Sequence, residues 1–194
     1  MAEARLAPHQ ERARGSGRAI AFVDETGSSF RARVASTWTP VGHLPILRRR
    51  DKRSEVSSIV ALVAPYGSRP ARLYSRHREG NFTSQDIIAA LRYFRRKVGR
   101  PLTIVWDGLN QHHSAETLDF VARHHEDFRL ERLPGHAPDL NPEEGCNGVV
   151  KAELRNATPD SVAELRASFV RLGHRHDVLA AFFLHAGLRL TALP

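Results

Sequence analysis

The stretch TSQDIIAALRYFRRKVGRPLTIVWDG, residues 83–108, contains the change of period that sets the fold. Ile87, Ile88, Leu91 and Phe94 recur at helical intervals, Thr83 or Ser84 offers a cap, and Gly99 and Pro101 end the run. A short apolar segment, LTIVW, follows at once and finishes at Asp107 before a glycine. Upstream the pattern is strand-like. Ala19 to Val23 form an apolar run that ends in Asp24 and a turn, and SFRARVAST (29–37) alternates as a second strand. Pro40, Gly42 and Pro45 mark a loop with a basic cluster behind it. VSSIVALVA (56–64) is rich in β-branched residues and stops at Pro65, and ARLYSRHREG (71–80) reads as a strand nearer an edge. Downstream, residues 114–125 read as helix, FRLERL (128–133) as strand, and about 159–172 and 176–189 as two closing helices. Strands first, then helix and strand in alternation, predict an α/β domain with a mixed sheet flanked by helices. Residues 1–17 read as a flexible leader and 18–194 as one domain.

A chain of 194 residues is long enough for one domain with a real core and too short for two large ones. Its single cysteine, Cys146, excludes a disulfide framework and any cysteine-based zinc cluster, and fits a reducing compartment. No apolar run approaches the length of a membrane span, and the N-terminus lacks the apolar core of a signal peptide. The expected location is the cytoplasm. The net charge of +8 points to a polyanionic partner, although 26 of the 29 basic residues are Arg, a bias that a GC-rich genome also produces.

Asp24 and Asp107 each follow an apolar run and precede a glycine-containing turn, and in α/β sheets sites assemble at strand ends. A carboxylate beside an apolar core is costly unless compensated, and a divalent cation is a common compensator. Each Asp has an alternative reading as a turn cap. Glu144 is harder to assign. In LPGHAPDLNPEEG (133–145), Asn141 reads as a helix cap, Pro142 as the first helical residue and Glu144 as the capping-box acid, which needs no catalytic role. The same cap would hold Glu144 rigidly, as a metal ligand requires.

FVDETG, VWDGLNQHHS and above all LPGHAPDLNPEEG resemble the three acidic signatures of DDE transposases of the insertion-sequence branch of the mariner superfamily. In that family a stiff PxxSPDLNPIE-type loop leads into a helix, and its last Glu is the third catalytic acid. The match runs through Pro134, Pro138, Asp139, Leu140, Asn141, Pro142 and Glu144, with 36 residues between Asp107 and Glu144. Weaker similarity (RVASTWTPVGHLPILR, RLYSRHREGNF, AFFLHAGL) extends from about residue 18 to the C-terminus. The resemblance implies an RNase H-like, integrase-like fold with a five-stranded mixed sheet and extra C-terminal helices. It implies catalytic and metal-ligating roles for Asp24, Asp107 and Glu144, with two Mg²⁺ ions (Mn²⁺ as substitute) clamping the attacking and leaving oxygens. Water would first cut a strand at a transposon end, and the freed 3′-hydroxyl would then attack target DNA.

Two departures stand out. Glu143 occupies a position that is usually apolar in the family and is set aside as a ligand; Asn147 replaces a Trp-type anchor, while Gly148 weakens the helix. No helix-turn-helix segment is read ahead of Ala19, so recognition of the ends is expected to need a separate DNA-reading polypeptide or a longer form of this one, with a homodimer on DNA and a nucleoid-associated location. Candidate DNA contacts are Arg48, Arg49, Arg50, Lys52, Arg53, Arg95, Arg96, Lys97, His112 and Lys151. The histidine pairs match no zinc spacing, and Trp38 and Trp106 read as core. The rival readings are a nuclease that cleaves without joining and an inactive DNA-binding or dimerising remnant.

Overall fold

A computed structural model describes residues 16–29, 36–44, 46, 55–106, 114–134, 138–154 and 161–188. Its five strands are β1 (Ala19–Ser29), β2 (Glu55–Val63), β3 (Arg72–Glu79), β4 (Leu102–Trp106) and β5 (Phe128–Arg132). The helices are α1 (Ser84–Val98), α2 (Ala115–Arg123), α3 (Glu143–Glu153), α4 (Val162–Gly173) and α5 (His176–His185). The strands form one sheet in the order β3-β2-β1-β4-β5. β3, β2 and β1 make an antiparallel meander, while β4 and β5 continue parallel to β1, each parallel step being bridged by a helix. The RNase H-like α/β sandwich expected from the sequence is the observed fold.

The alternation along the strands sorts the core into two layers. Ala21, Val23, Ile59, Ala61, Ile104 and Trp106 face α1 and α2 through Ile87, Leu91, Phe94 and Phe120. Ile20, Phe22, Val60, Leu62 and Val105 face α3, α4 and α5 through Cys146, Val150, Phe169 and Phe183. α1 starts where the sequence places it: Thr83 caps it in a full capping box with Asp86, and Gly99 ends it in the left-handed region (φ 79°).

Two expectations change. β1 does not turn at Asp24 but continues to Ser29, because β2 stays paired with it as far as Ser29↔Glu55. What ends near Asp24 is the other partner, since β4 pairs with β1 only from Ala19↔Leu102 to Val23↔Trp106. Trp106 is buried as expected, but Trp38 is fully exposed, on the segment between β1 and β2. The strand expected over 29–37 falls largely outside the described residues.

Candidate active site

The register around Asp24 brings the site together. Trp106, the residue before Asp107, is the partner of Val23, the residue before Asp24. The rung thus joins the residues that immediately precede the two acids; Asp107 itself lies outside the described residues. Asp24 belongs to the same strand face as Ile20 and Phe22, the face covered by α3, and it is only 7 % exposed. One of its oxygens, Oδ1, accepts the N–H of Glu25 at 2.8 Å.

α3 sets its N-terminus over this face. Asn141 acts as a cap with its side chain, Oδ1 accepting from the Glu143 N–H at 3.2 Å, and its carbonyl accepts from the Glu144 N–H at 3.2 Å. The expected capping box is not built: the Asn141 side chain takes the N–H of Glu143 rather than that of Glu144, and Glu144 returns no side-chain bond among the described residues. Glu144 is exposed and lines a cleft of about 290 Å³ with Asp139, Asn141, Phe182 and His185. Gly145 lets α5 close this cleft from the side: a Cβ there would sit 2.5 Å from the Phe182 ring.

Glu143, set aside in the sequence reading, is the acid that meets Asp24. It is fully buried, and its Oε2 accepts from Asn147 Nδ2 at 2.6 Å, one helical turn on. Burial holds its carboxyl well above the usual carboxylate range; the Asp24 carboxyl, as a charge and a hydrogen-bonding neighbour, and the Glu144 charge push the same way, while Lys151 opposes them. Glu143 Oε1 is buried without a hydrogen-bond partner among the described residues. The neutral, protonated form of Glu143 is the one this setting favours. Asn147 Oδ1 and Thr26 Oγ1 are also buried without hydrogen-bond partners among the described residues, Thr26 lying two residues beyond Asp24 on the same strand face. Unpartnered oxygens beside a buried carboxylate are the donor set a hard cation takes, so the residues fit a divalent metal. Among the described residues alone, no group of three metal-ligating side chains is complete.

A family model described as DDE superfamily endonuclease matches residues 19–166, from the first residue of β1 into α4. The chain belongs to that family. Among solved structures, this DDE endonuclease is similar to the Mos1 mariner paired end complex with Mn, at 13 % identity and a TM-score of 0.65. That match covers 95 % of this chain and 58 % of the other. The catalytic domain of Mos1 mariner transposase matches at 13 % identity and TM-score 0.56, covering 96 % and 85 %. The simian T-cell lymphotropic virus intasome in complex with PP2A regulatory subunit B56 gamma matches at 17 % identity and TM-score 0.57, covering 90 % and 56 %. Comparison with curated protein sequences gave no match. The DDE endonuclease thus spans little more than half the length of the chains in the Mos1 complexes, and at these identities the likeness is one of fold. No helix among its described residues is long and apolar enough to cross a membrane.

The basic candidates of the DDE endonuclease are dispersed. Lys151 lies on α3, close enough to act on Glu143. Arg95, Arg96 and Lys97 end α1, in the opposite helical layer and at the end of the sheet where β4 begins, so the fold does not bring them to Asp24. Arg95 is engaged with Asp127 at 2.7 Å. Arg48, Arg49, Arg50, Lys52, Arg53 and His112 lie outside the described residues. Glu143 had one signal in the sequence, its i,i+4 spacing to Asn147, which allows a side-chain bond within a helix.

Proposed function

We propose that this DDE endonuclease is the catalytic part of a DNA transposase, with Asp24, Asp107 and Glu144 as its metal-binding acids. The observation that supports the reading is the rung Val23↔Trp106, which pairs the residues just before Asp24 and just before Asp107, with the helix start that bears Glu143 and Glu144 near Asp24. The three carboxylates would hold divalent cations, Mg²⁺ or Mn²⁺, whose chemistry is to polarise the phosphodiester and activate the attacking oxygen. The chain's own residues place and screen that site. Asp24 is oriented by the Glu25 N–H, Glu143 in its neutral form adds no charge beside it, and Trp106 and Phe22 shield the rung from below on either face. Cleavage adds water across a phosphodiester and frees a 3′-hydroxyl; joining repeats the displacement with that hydroxyl as nucleophile. We further propose that two copies of the chain act together on DNA, and that a separate helix-turn-helix polypeptide reads the transposon ends.

The test uses a precleaved end and a supercoiled target in Mg²⁺ and in Mn²⁺. Nicking and joining that vanish in Asp24→Asn, Asp107→Asn and Glu144→Gln support the proposal, and nicking without joining would leave a nuclease. One observation favours a second reading, an inactive remnant: Glu143 Oε1 and Asn147 Oδ1 are buried without a hydrogen-bond partner among the described residues, a cost to the fold if no cation is held there. Absence of all nicking with a folded protein would select it.

A further inference from the structure

β3 is an outer strand of the sheet, and between it, α1 and α4 lies a cleft of about 600 Å³, larger than the one beside Glu144. Arg76 of β3 and Arg166 of α4 stand on its walls with Tyr93, Val162 and Val170, and His77 lies deeper in the lining. Five arginines elsewhere in this fold pair with a carboxylate: Arg78 with Asp86, Arg95 with Asp127, Arg123 with Asp119, Arg129 with Glu131, Arg171 with Glu153. Arg76 and Arg166 have no carboxylate partner among the described residues. Arg76 instead lies over the Tyr93 ring at 5.5 Å, and Lys97 reaches the same ring at 5.8 Å.

The interior of the cleft reports the same sign of charge. His77 is anchored by Ser58 Oγ at 2.8 Å and Ser75 Oγ at 2.9 Å and packs on the Phe169 ring. Its pKa is pushed down to about 4 by burial and then by Arg166 and Arg76. A neutral histidine and two unpaired guanidinium groups make a concave, positive and partly apolar site, which suits an anion. The site is also level with the acids. Ser75 pairs with Val60 and Val60 with Asp24, so the cleft stands two strands from Asp24, roughly 10 Å at ordinary strand spacing. That is about three base-pair rises of a duplex.

We propose that this cleft binds the phosphodiester backbone of DNA, with Arg76 and Arg166 neutralising phosphates of the segment that flanks the scissile bond. The inference rests on the reading of the chain as a DNA-processing enzyme and adds a contact to it. An acidic peptide is the rival occupant. The excess of 29 basic over 21 acidic residues and the alignment of the cleft with Asp24 favour DNA.

The experiment titrates a random-sequence duplex, from about 50 to 200 mM salt, against wild type, Arg76→Gln/Arg166→Gln, and a charge-matched control, Arg123→Gln/Arg175→Gln. Circular dichroism checks that each variant folds. The cleft variant should bind with a slope of log K against log salt shallower by about 2, and the control with a nearly unchanged slope. Equal slopes for cleft variant and wild type would overturn the proposal while leaving the DNA-enzyme reading intact. Wild type that binds no duplex at about 50 mM salt would overturn both. A cleft variant that keeps DNA binding but loses binding to a poly-glutamate peptide would give the cleft to an acidic partner instead.

Discussion

Glu143 and Glu144 are neighbours in the chain, but on a helix their side chains leave the axis about 100° apart, so one docking decision separates their roles. α3 turns Glu143 toward Asp24 and Asn147 and leaves Glu144 in the cleft beside α5. If Glu144 is the third ligand, Glu144→Gln should reduce Mg²⁺-dependent nicking by 10²-fold or more, as loss of an essential transition-state group does (about 2.7 kcal/mol). Glu143→Gln should cost far less, because a neutral amide resembles the protonated acid in shape and charge. Equal losses from the two changes would move the third ligand to Glu143. Asp107→Asn should abolish nicking while duplex binding stays equal or tightens, since an anion that repels phosphate is gone. The sequence shows that an acidic pair stands at a stiff helix start. It cannot show which acid faces inward, because that angle is fixed by Gly145 meeting Phe182, residues 37 positions apart.

Among the elements, α3 and α4 carry consequences that a glycine and a histidine make measurable. Gly145→Ala would place a methyl group against the Phe182 ring and should cost about 1–3 kcal/mol in denaturant unfolding. Gly148→Ala meets open space in the same helix and should stabilise it by up to about 1 kcal/mol. Opposite signs test whether α5 really packs at Gly145. His77, under α4, titrates lower when folded than when unfolded, so its contribution is complete above about pH 6.5 and is lost as pH falls toward 4. At its full extent the loss is on the order of 3 kcal/mol. A profile for His77→Gln that falls just as steeply between those pH values would refute this. α1 was legible down to its cap because Thr83, Asp86 and Gly99 are local signals. The course of β1 past Asp24 was not, because only the distant β2 keeps those residues extended.

Over the whole molecule, alternation of strand and helix made the architecture readable, and the rung that joins the residues before Asp24 and Asp107 followed from it. Trp38 was misjudged because a large aromatic ring says nothing about whether a partner element covers it. The two tryptophans now serve as opposite reporters, one fully exposed and one fully buried. They also bear on a property of the central pairing, whose rungs join residues more than eighty positions apart. The β1–β2–β3 meander closes over shorter loops, so the chain has every reason to build it before β4 slots in beside β1. In a Trp38→Phe variant, refolding should therefore show far-UV signal gained ahead of the Trp106 emission change; coincident traces would mean a single concerted step. Time then becomes a safeguard. If Asp107 stands beside Asp24 in the folded protein, as proposed, a nascent chain that already holds Asp24 lacks its partner acid, and cleavage would wait until β1 and β4 have met.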